Sequence, residues 1–148
     1  MCIIQASLEN IDEWVKLSCK LFPEDTYEEL YELYYSFLTN EKKHKEIGYL
    51  YQANNKFVAF INFSIRYEYV NGTNTSPVLF IEALYVLEEY RKQGIARKLI
   101  NHAENYAKEN GIKQIASDCL IDNTISELFH KSCGFKETER VIFFVKSI

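Results

Sequence analysis

The chain has 148 residues, of which 47% are hydrophobic and 15% aromatic, and its formal net charge at pH 7 is -4. This length suits one domain, 1–148, with enough apolar material for a packed core. The acidic balance argues against nucleic acid as a partner and favours a cationic one.

Compartment and metal content are constrained by what the sequence lacks. No apolar stretch approaches membrane-spanning length, and "MCIIQASLEN" does not have the basic, then apolar layout of a signal peptide. We therefore expect a soluble, cytoplasmic protein that contacts no membrane. The cysteines show no C-x-x-C pair, so neither a zinc site, nor any other metal, nor a disulfide is expected. These cysteines are Cys2, Cys19, Cys119 and Cys133.

The amino-terminal part is predicted to begin with a strand and two helices. A short strand is expected over Cys2 to Ala6, and the apolar spacing predicts a helix over Ile11 to Leu21. Thr26 and Glu29 have the spacing of a capping box for a second helix that runs through Leu38. The side chains predicted to point inward from this second helix are Leu30, Leu33, Tyr34 and Phe37.

The middle of the chain is predicted to form strands. Ile47 to Ala53 and Phe57 to Tyr67 are joined by the tight connection "NNK", which indicates a hairpin. After the long loop "EYVNGTNTSP", Pro77 to Leu87 is an almost unbroken apolar run, typical of a strand buried on both faces.

A glycine loop connects this buried strand to a long helix. Apolar residues follow helical spacing from Ile95, and Gly111 ends the pattern. We then predict a strand over Ile112 to Asp118, a short helix over Thr124 to Lys131, and a closing strand pair over Gly134 to Lys146.

The junction before Ile95 has the character of an anion site. The first N–H groups of a helix lack internal acceptors and carry partial positive charge, which suits a pyrophosphate. Arg91 and Gln93 add donors, and Gly94 permits a close approach of the main chain. The pattern is neither the three-glycine dinucleotide fingerprint nor a Walker loop. It resembles the R/Q-x-x-G-x-G/A loop of the GNAT acetyltransferases.

The carboxyl-terminal half carries a more specific resemblance. The elements "NGT-TSP", "IEALYVL", "ASD", "DN-IS--FH" and "GF-ETER" lie between Ser64 and Lys146. Together they resemble the aminoglycoside 6'-N-acetyltransferases, a branch of the GNAT superfamily. The resemblance implies a GNAT fold of the α/β class, with one mixed, mostly antiparallel sheet splayed at its central strand and flanked by helices.

The resemblance also implies the reaction and the co-substrate. The enzyme would transfer the acetyl group of acetyl-CoA to the 6'-amino group of an aminoglycoside by direct attack in a ternary complex, which would confer antibiotic resistance. Main-chain groups of the central strand would hold the pantetheine arm, and the glycine loop would hold the pyrophosphate. The cofactor residues implied are Leu84, Tyr85, Val86, Arg91, Gln93, Gly94, Ile95, Ala96, Arg97 and Asn123. Asn123 is equally suited to cap the short helix.

The acceptor site is implied to be acidic, because aminoglycosides carry several ammonium groups. The resemblance places Glu82, Asp118 and Glu139 around the sugar rings. Glu82 has independent support, since a glutamate inside an apolar strand is costly unless it faces a site or is paired, for example with Arg66. Two further residues are candidates for the substrate site: Tyr67 and Asn74. Tyr67 could stack on a sugar ring, although core or interface packing is the commoner role of a tyrosine in so aromatic a chain, and Asn74 stands where family members often have glutamate.

Two residues are candidates for proton transfer. Glu82 is the candidate general base, acting directly or through water. His130 stands where many GNAT enzymes place a tyrosine that protonates the leaving thiolate, but a helix-surface histidine without a role is an equal alternative.

Other functions remain open at this stage. A GNAT enzyme could acetylate a polyamine or a protein amino terminus, and a non-catalytic sensor could bind acetyl-CoA without transfer. The surplus of aromatic residues favours a homodimer formed through strand edges or the second helix.

Overall fold

The computed structural model describes residues 2–39 and 45–148. Its strands form one sheet in chain order: β1 Cys2–Gln5, β2 Ile47–Ala53, β3 Lys56–Arg66, β4 Val78–Val86 and β5 Ile115–Ala116. Neighbours pair antiparallel from β1 to β4, and β5 is parallel to β4. The helices are α1 Ile11–Leu21, α2 Tyr27–Thr39, α3 Ile95–Glu109 and α4 Thr124–Ser132, with a short 3₁₀ turn at Glu88–Tyr90. This mixed, mostly antiparallel sheet flanked by helices confirms the expected fold class.

Helices cover both faces of the sheet because successive residues of a strand point to opposite sides. On one face, the buried Trp14 of α1 donates its indole N–H to Asn62 of β3, at 2.8 Å. On the other face, Phe63 packs against Tyr106 of α3, with 4.9 Å between ring centroids. The sheet therefore lies between the α1–α2 pair and α3, and its core is continuous with both.

Local chemistry explains two boundaries that the sequence predicted. Thr26 and Glu29 form the reciprocal capping box: the Thr26 N–H donates to Glu29 Oε2 at 2.9 Å, and the Glu29 N–H donates to Thr26 Oγ1 at 3.2 Å. Asn54 and Asn55 have φ values of 51° and 59°, the left-handed conformation that a tight hairpin between β2 and β3 requires. The capping box and the hairpin are both confirmed.

The sheet opens beside its central strand. β4 pairs with β5 only at Leu79 with Ile115 and at Phe80 with Ala116. Beyond Phe80, β4 continues to Val86 with β3 on one side and no strand of the described chain on the other. The expected splay of the central strand is confirmed, and it leaves one main-chain edge of β4 accessible.

Three boundary or burial predictions are wrong. The strand predicted over Ile112 to Asp118 is limited to Ile115–Ala116, because β4 and β5 diverge directly after this pairing. The closing strand pair over Gly134 to Lys146 does not form: residues 135–148 have no strand, and Phe143 and Phe144 are each 90% exposed. Its apolar pattern is strand-like, but no edge of the described sheet pairs with it. Leu33, predicted to point into the core, is 40% exposed, because it lies at the rim of a cavity.

None of the helices within the described ranges is both long enough and apolar enough to cross a membrane.

Gly48 of β2 is needed where α1 crosses the sheet. A Cβ at this position would overlap the indole of Trp14. We expect Gly48→Ala to lower the free energy of unfolding by about 1 to 3 kcal/mol through overpacking, measured by urea denaturation. The loss should be smaller in a Trp14→Phe background, which removes the overlapping part of the ring. An equal loss in both backgrounds would contradict this explanation.

Candidate active site

The glycine loop presents a set of open main-chain donors. Gly94 caps α3 with a φ of 81°, a conformation that suits glycine, and a Cβ there would meet nothing within 4 Å. The first helical bond runs from the Lys98 N–H to the Gly94 carbonyl. The N–H groups of residues 93–97 donate to no acceptor in the described part of the chain. These residues are Gln93, Gly94, Ile95, Ala96 and Arg97. The loop therefore has the donors and the open space that a pyrophosphate needs.

Arg91 ties this loop to the end of β4. Its Nε donates to the Val86 carbonyl at 2.9 Å, and its guanidinium lies 5.5 Å from the centre of the Tyr85 ring. Leu84, Tyr85 and Val86 pair with β3, and the opposite edge of β4 at these residues faces the gap beside β5. The structure thus brings the predicted strand edge and the predicted loop together. The Val86 carbonyl, however, already accepts from Arg91.

Asn123 caps α4. Its side-chain oxygen accepts a hydrogen bond from the Ser126 N–H at 3.1 Å, which confirms the capping interpretation. The Asn123 side chain is exposed, and its contact with a cofactor arm stays a prediction.

Glu82 occupies a β-bulge in β4. Asn62 pairs with Ala83 while Phe63 pairs with Ile81, so Glu82 is the extra residue of the strand. Bulges re-aim a side chain and are common beside active sites. The Glu82 carboxylate accepts from Ser64 Oγ at 2.5 Å and from Arg66 Nη2 at 2.8 Å. Glu82 is therefore paired with Arg66, and it also faces a cavity.

Two adjoining cavities share Glu46 and Glu82 in their walls. One has a volume of about 260 Å³ and is lined by Lys45, Glu46, Ser64, Arg66, Glu68 and Glu82. The other has a volume of about 160 Å³ and is lined by Phe22, Asp25, Leu30, Leu33, Tyr34, Glu46 and Glu82. Carboxylates outnumber cations in these walls, so the site suits a ligand with several positive charges.

Glu46 is a site residue that the sequence analysis missed. It lies just before β2 and accepts a hydrogen bond from Asn62 Nδ2 at 3.3 Å. The pKa of the Glu46 carboxyl is raised to about 7, mainly by burial and also by the nearby Glu82, whereas Asn62 and Arg66 act in the opposite direction. In the sequence, Glu46 stands in the charged stretch "EKKHKE", which is typical of a solvated surface. Nothing in this stretch of sequence distinguishes Glu46 from a solvated surface glutamate.

The other predicted substrate residues lie outside both cavities. Asp118 follows β5, and Glu139 lies in the irregular segment after α4; both are exposed. Tyr67 is 72% exposed just beyond Arg66, and the Asn74 N–H donates to Gln114 Oε1 at 2.9 Å in the loop before β4. The structure therefore brings Glu82 into the cavities without these four residues, whose roles stay predictions.

His130 uses both ring nitrogens within the protein. Its Nδ1 lies 2.7 Å from the Ser126 carbonyl oxygen, and its Nε2 lies 2.7 Å from Ser117 Oγ. The carbonyl can only accept, so Nδ1 carries the proton, and a neutral ring accepts from Ser117 at Nε2. The bond to Ser117 joins α4 to the end of β5, and the bond to Ser126 lies within α4. They suit a structural role, and proton donation to a thiolate stays a prediction.

All four cysteines are free thiols in the structure. Within residues 2–39 and 45–148, no cluster of His, Cys, Asp and Glu side chains has the arrangement of a metal site.

Comparison with known proteins places these features in context. The model of the acetyltransferase (GNAT) family matches residues 10–135. An aminoglycoside N(6')-acetyltransferase type 1 from Acinetobacter baumannii is 40% identical over 148 residues, which cover 100% of this chain and 99% of the relative. An enzyme of the same name from Serratia marcescens is 37% identical over 150 residues, covering 99% of each chain.

Solved structures give the same result. AAC(6')-Iy in complex with the bisubstrate analogue CoA-S-monomethyl-acetylneamine has a TM-score of 0.91 and 33% identity, covering 99% of this chain and 98% of the other. The apo aminoglycoside 6'-N-acetyltransferase AAC(6')-IG from Acinetobacter haemolyticus has a TM-score of 0.91 and 39% identity, covering 100% of this chain and 99% of the other.

The raised pKa of Glu46 predicts a pH-dependent stability. In the folded chain the Glu46 pKa is about 7, against an ordinary value of 4.5, so the folded state binds the extra proton between these pH values. The stabilisation from the protonated carboxyl is fully present below pH 4.5 and is lost as the pH rises through 7. We expect Glu46→Gln, which cannot ionise, to be more stable than the unsubstituted chain by about 3 kcal/mol at pH 8 and equally stable at pH 4.5. Urea denaturation at both pH values measures this, and a pH-independent difference would contradict it.

Proposed function

Because the chain belongs to the GNAT acetyltransferase family, we propose that it transfers the acetyl group of acetyl-CoA to the 6'-amino group of aminoglycoside antibiotics and thereby confers resistance. Full-length relatives at 40% identity carry this activity in their names. The observation that carries the proposal is the pair of acidic cavities that share Glu82, a residue of the same strand, β4, whose edge is open beyond Phe80.

The co-substrate site fits acetyl-CoA. The open N–H groups of residues 93–97 would hold the pyrophosphate, and the free edge of β4 at Leu84 and Tyr85 would pair with the pantetheine arm. Arg91 fixes the end of the strand against the loop and adds positive charge there. AAC(6')-Iy, similar over 99% of this chain, has been solved in complex with CoA. When bound, acetyl-CoA supplies the acetyl thioester that is transferred.

The acceptor would bind in the acidic cavities. Glu82, held by Ser64 and Arg66, presents a carboxylate in the wall of both cavities, and Asp25 and Glu68 add charge on either side. These groups bind the ammonium groups of the sugar rings and compensate their lost hydration. Asp118, Glu139, Tyr67 and Asn74 are proposed to lie farther out along the same substrate.

Direct attack by the amine needs little covalent chemistry from the protein. Holding the amine and the thioester together in one ternary complex accounts for much of the rate, up to about 7 to 11 kcal/mol in ideal cases. The acetyl carbonyl would be polarised by a main-chain N–H of β4 near Tyr85. His130, whose Nε2 is hydrogen-bonded to Ser117, is proposed to lie close to the departing sulfur. Because acetyl-CoA is an intracellular metabolite, the enzyme would act in the cytoplasm.

A homodimer is part of the proposal. The carboxyl-terminal segment, 141–148, is rich in β-branched and aromatic residues and is exposed along its whole length. Ile125 of α4 is also exposed, by 84%, and β5 is an edge strand. Large exposed apolar surfaces mark interfaces. Each copy carries both the segment and an uncovered face, so a two-fold dimer would cover both at once.

The acceptor and its position are tested together by a pair of substrates. We expect thiol release from acetyl-CoA with an aminoglycoside that has a 6'-amine, and none with its 6'-hydroxyl analogue, because only the amine attacks the thioester at an appreciable rate. A thiol-reactive dye measures the release. Turnover of both compounds would place acetylation at another amine, and turnover of spermidine alone would identify a polyamine acetyltransferase.

The dimer is tested by removing its apolar contacts. We expect the chain to sediment as a dimer and the double variant Phe143→Ser, Phe144→Ser to sediment as a monomer, as measured by analytical ultracentrifugation. Lys146→Gln, a change in the same segment that removes no apolar group, should remain dimeric. A monomeric unsubstituted chain at tens of micromolar would refute the dimer.

A further inference from the structure

Two carboxylates face the acceptor cavities, and they differ in their partners. Glu82 is bonded to the guanidinium of Arg66 and to the hydroxyl of Ser64. Glu46 accepts from one neutral donor among the described residues, Asn62 Nδ2, at 3.3 Å. A carboxylate that shares its charge with a guanidinium is a weaker base than one beside an amide and a second carboxylate. The better proton acceptor of the pair is therefore Glu46.

We propose that Glu46 is the general base that takes the proton from the acceptor amine, and that Glu82 binds and positions the substrate. This assignment rests on the proposed function. It replaces Glu82 as the candidate base, because the ion pair with Arg66 occupies the carboxylate that the sequence analysis had assigned to proton transfer.

The reaction balances with Glu46 in this role. The 6'-ammonium group gives one proton to a Glu46 oxygen, and the freed lone pair forms a C–N bond to the acetyl carbonyl carbon. The C–S bond breaks, and its electron pair stays on the CoA sulfur. The second proton from the nitrogen goes to that sulfur, which leaves a neutral amide, a thiol and protonated Glu46. Solvent then removes the proton from Glu46, which the cavity connects to bulk water.

The orientation of Asn62 is fixed by the core, and this positions Glu46. The indole N–H of Trp14 can only donate, so Asn62 must turn its oxygen to Trp14 and its amide N–H₂ outward. The outward amide group faces both the Tyr34 hydroxyl and Glu46, at 3.3 Å each. The buried network thus supplies Glu46 with a neutral N–H donor, because the bond to Trp14 prevents the Asn62 amide from flipping.

The surroundings of Glu46 suit a base at neutral pH. Burial and the negative charge of Glu82 raise the Glu46 pKa to about 7, close to the optimum for proton transfer near physiological pH. The charged and titratable groups that share its cavities come from several elements. They are Asp25 after α1, Tyr34 of α2, Lys45 beside it in the chain, Arg66 of β3, Glu68 in the following loop and Glu82 of β4.

The pH dependence of kcat/KM for a 6'-amino aminoglycoside tests the assignment. We expect kcat/KM of the unsubstituted enzyme to rise with pH and bend near pH 7, where Glu46 ionises. In Glu46→Gln, kcat/KM at pH 7 should fall about 100-fold, the lower range for general base catalysis. The bend near neutral pH should disappear, and the rate should keep rising towards the pKa of the amine, because only unprotonated amine then reacts.

Matched variants separate a base from a binding group. Glu82→Gln should raise KM for the aminoglycoside and keep the bend near neutral pH. Glu46→Asp retains a carboxylate and should keep the bend with a reduced kcat. Glu9→Gln, the same charge change at an exposed position outside both cavities, should leave the profile unchanged.

Several outcomes overturn the assignment. Glu46 is not the base if Glu46→Gln keeps the bend with kcat/KM within about threefold of the unsubstituted enzyme, or if only KM changes. Should Glu46→Gln fail to fold, the pH profile of kcat/KM of the unsubstituted enzyme is itself the test. A profile without a bend between about pH 6 and 8 refutes the proposal. Failure of the proposed function looks different, because the unsubstituted enzyme would then release no thiol with any aminoglycoside.

Discussion

One hydrogen bond in the core, from the Trp14 indole to the Asn62 side chain, links the packing of the fold to its chemistry. Because Trp14 is fully buried, its N–H must be satisfied, and losing the partner would cost about 1 to 3 kcal/mol. Tyr34 completes the cluster by donating to Ser18, and burial raises the Tyr34 pKa to about 12, so this phenol stays neutral. The cluster fixes α1 and α2 against the sheet and leaves one outward amide group, which meets Glu46.

The central strand provides the second constraint. β4 loses its parallel partner after Phe80 and gains an extra residue at Glu82. The lost pairing exposes a main-chain edge from there to Val86, and the bulge turns a carboxylate towards the α1–α2 face. Two irregularities of one strand, separated by a single residue, therefore provide the edge proposed for the co-substrate and the carboxylate proposed for the acceptor. Under the proposed function, this proximity would bring the two ligands together on one sheet.

Local patterns predicted most of the fold, and long-range contacts account for the errors. The limits of α1 and β2 follow from apolar periodicity, which resides in the segments themselves. Glu82 was recognisable because a charge inside an apolar strand is unusual. Glu46 was not, since its surroundings, among them Tyr34 and Asn62, come from parts of the chain that its own neighbours do not specify. The closing strands failed for a related reason: a strand-like sequence needs an available edge, and periodicity carries no information about edges.

Acidic surroundings attract a polycationic acceptor and at the same time favour its protonated, unreactive amine. The proposed division of work between two carboxylates would resolve this conflict. The carboxylate of Glu82, paired with Arg66, would bind the acceptor, while the carboxylate of Glu46, beside a neutral amide, would stay basic. The burial that makes Glu46 a good base also makes its ionised form costly to the fold. A residue kept only for stability would not be expected to carry that cost, whereas the proposed role as general base would account for it.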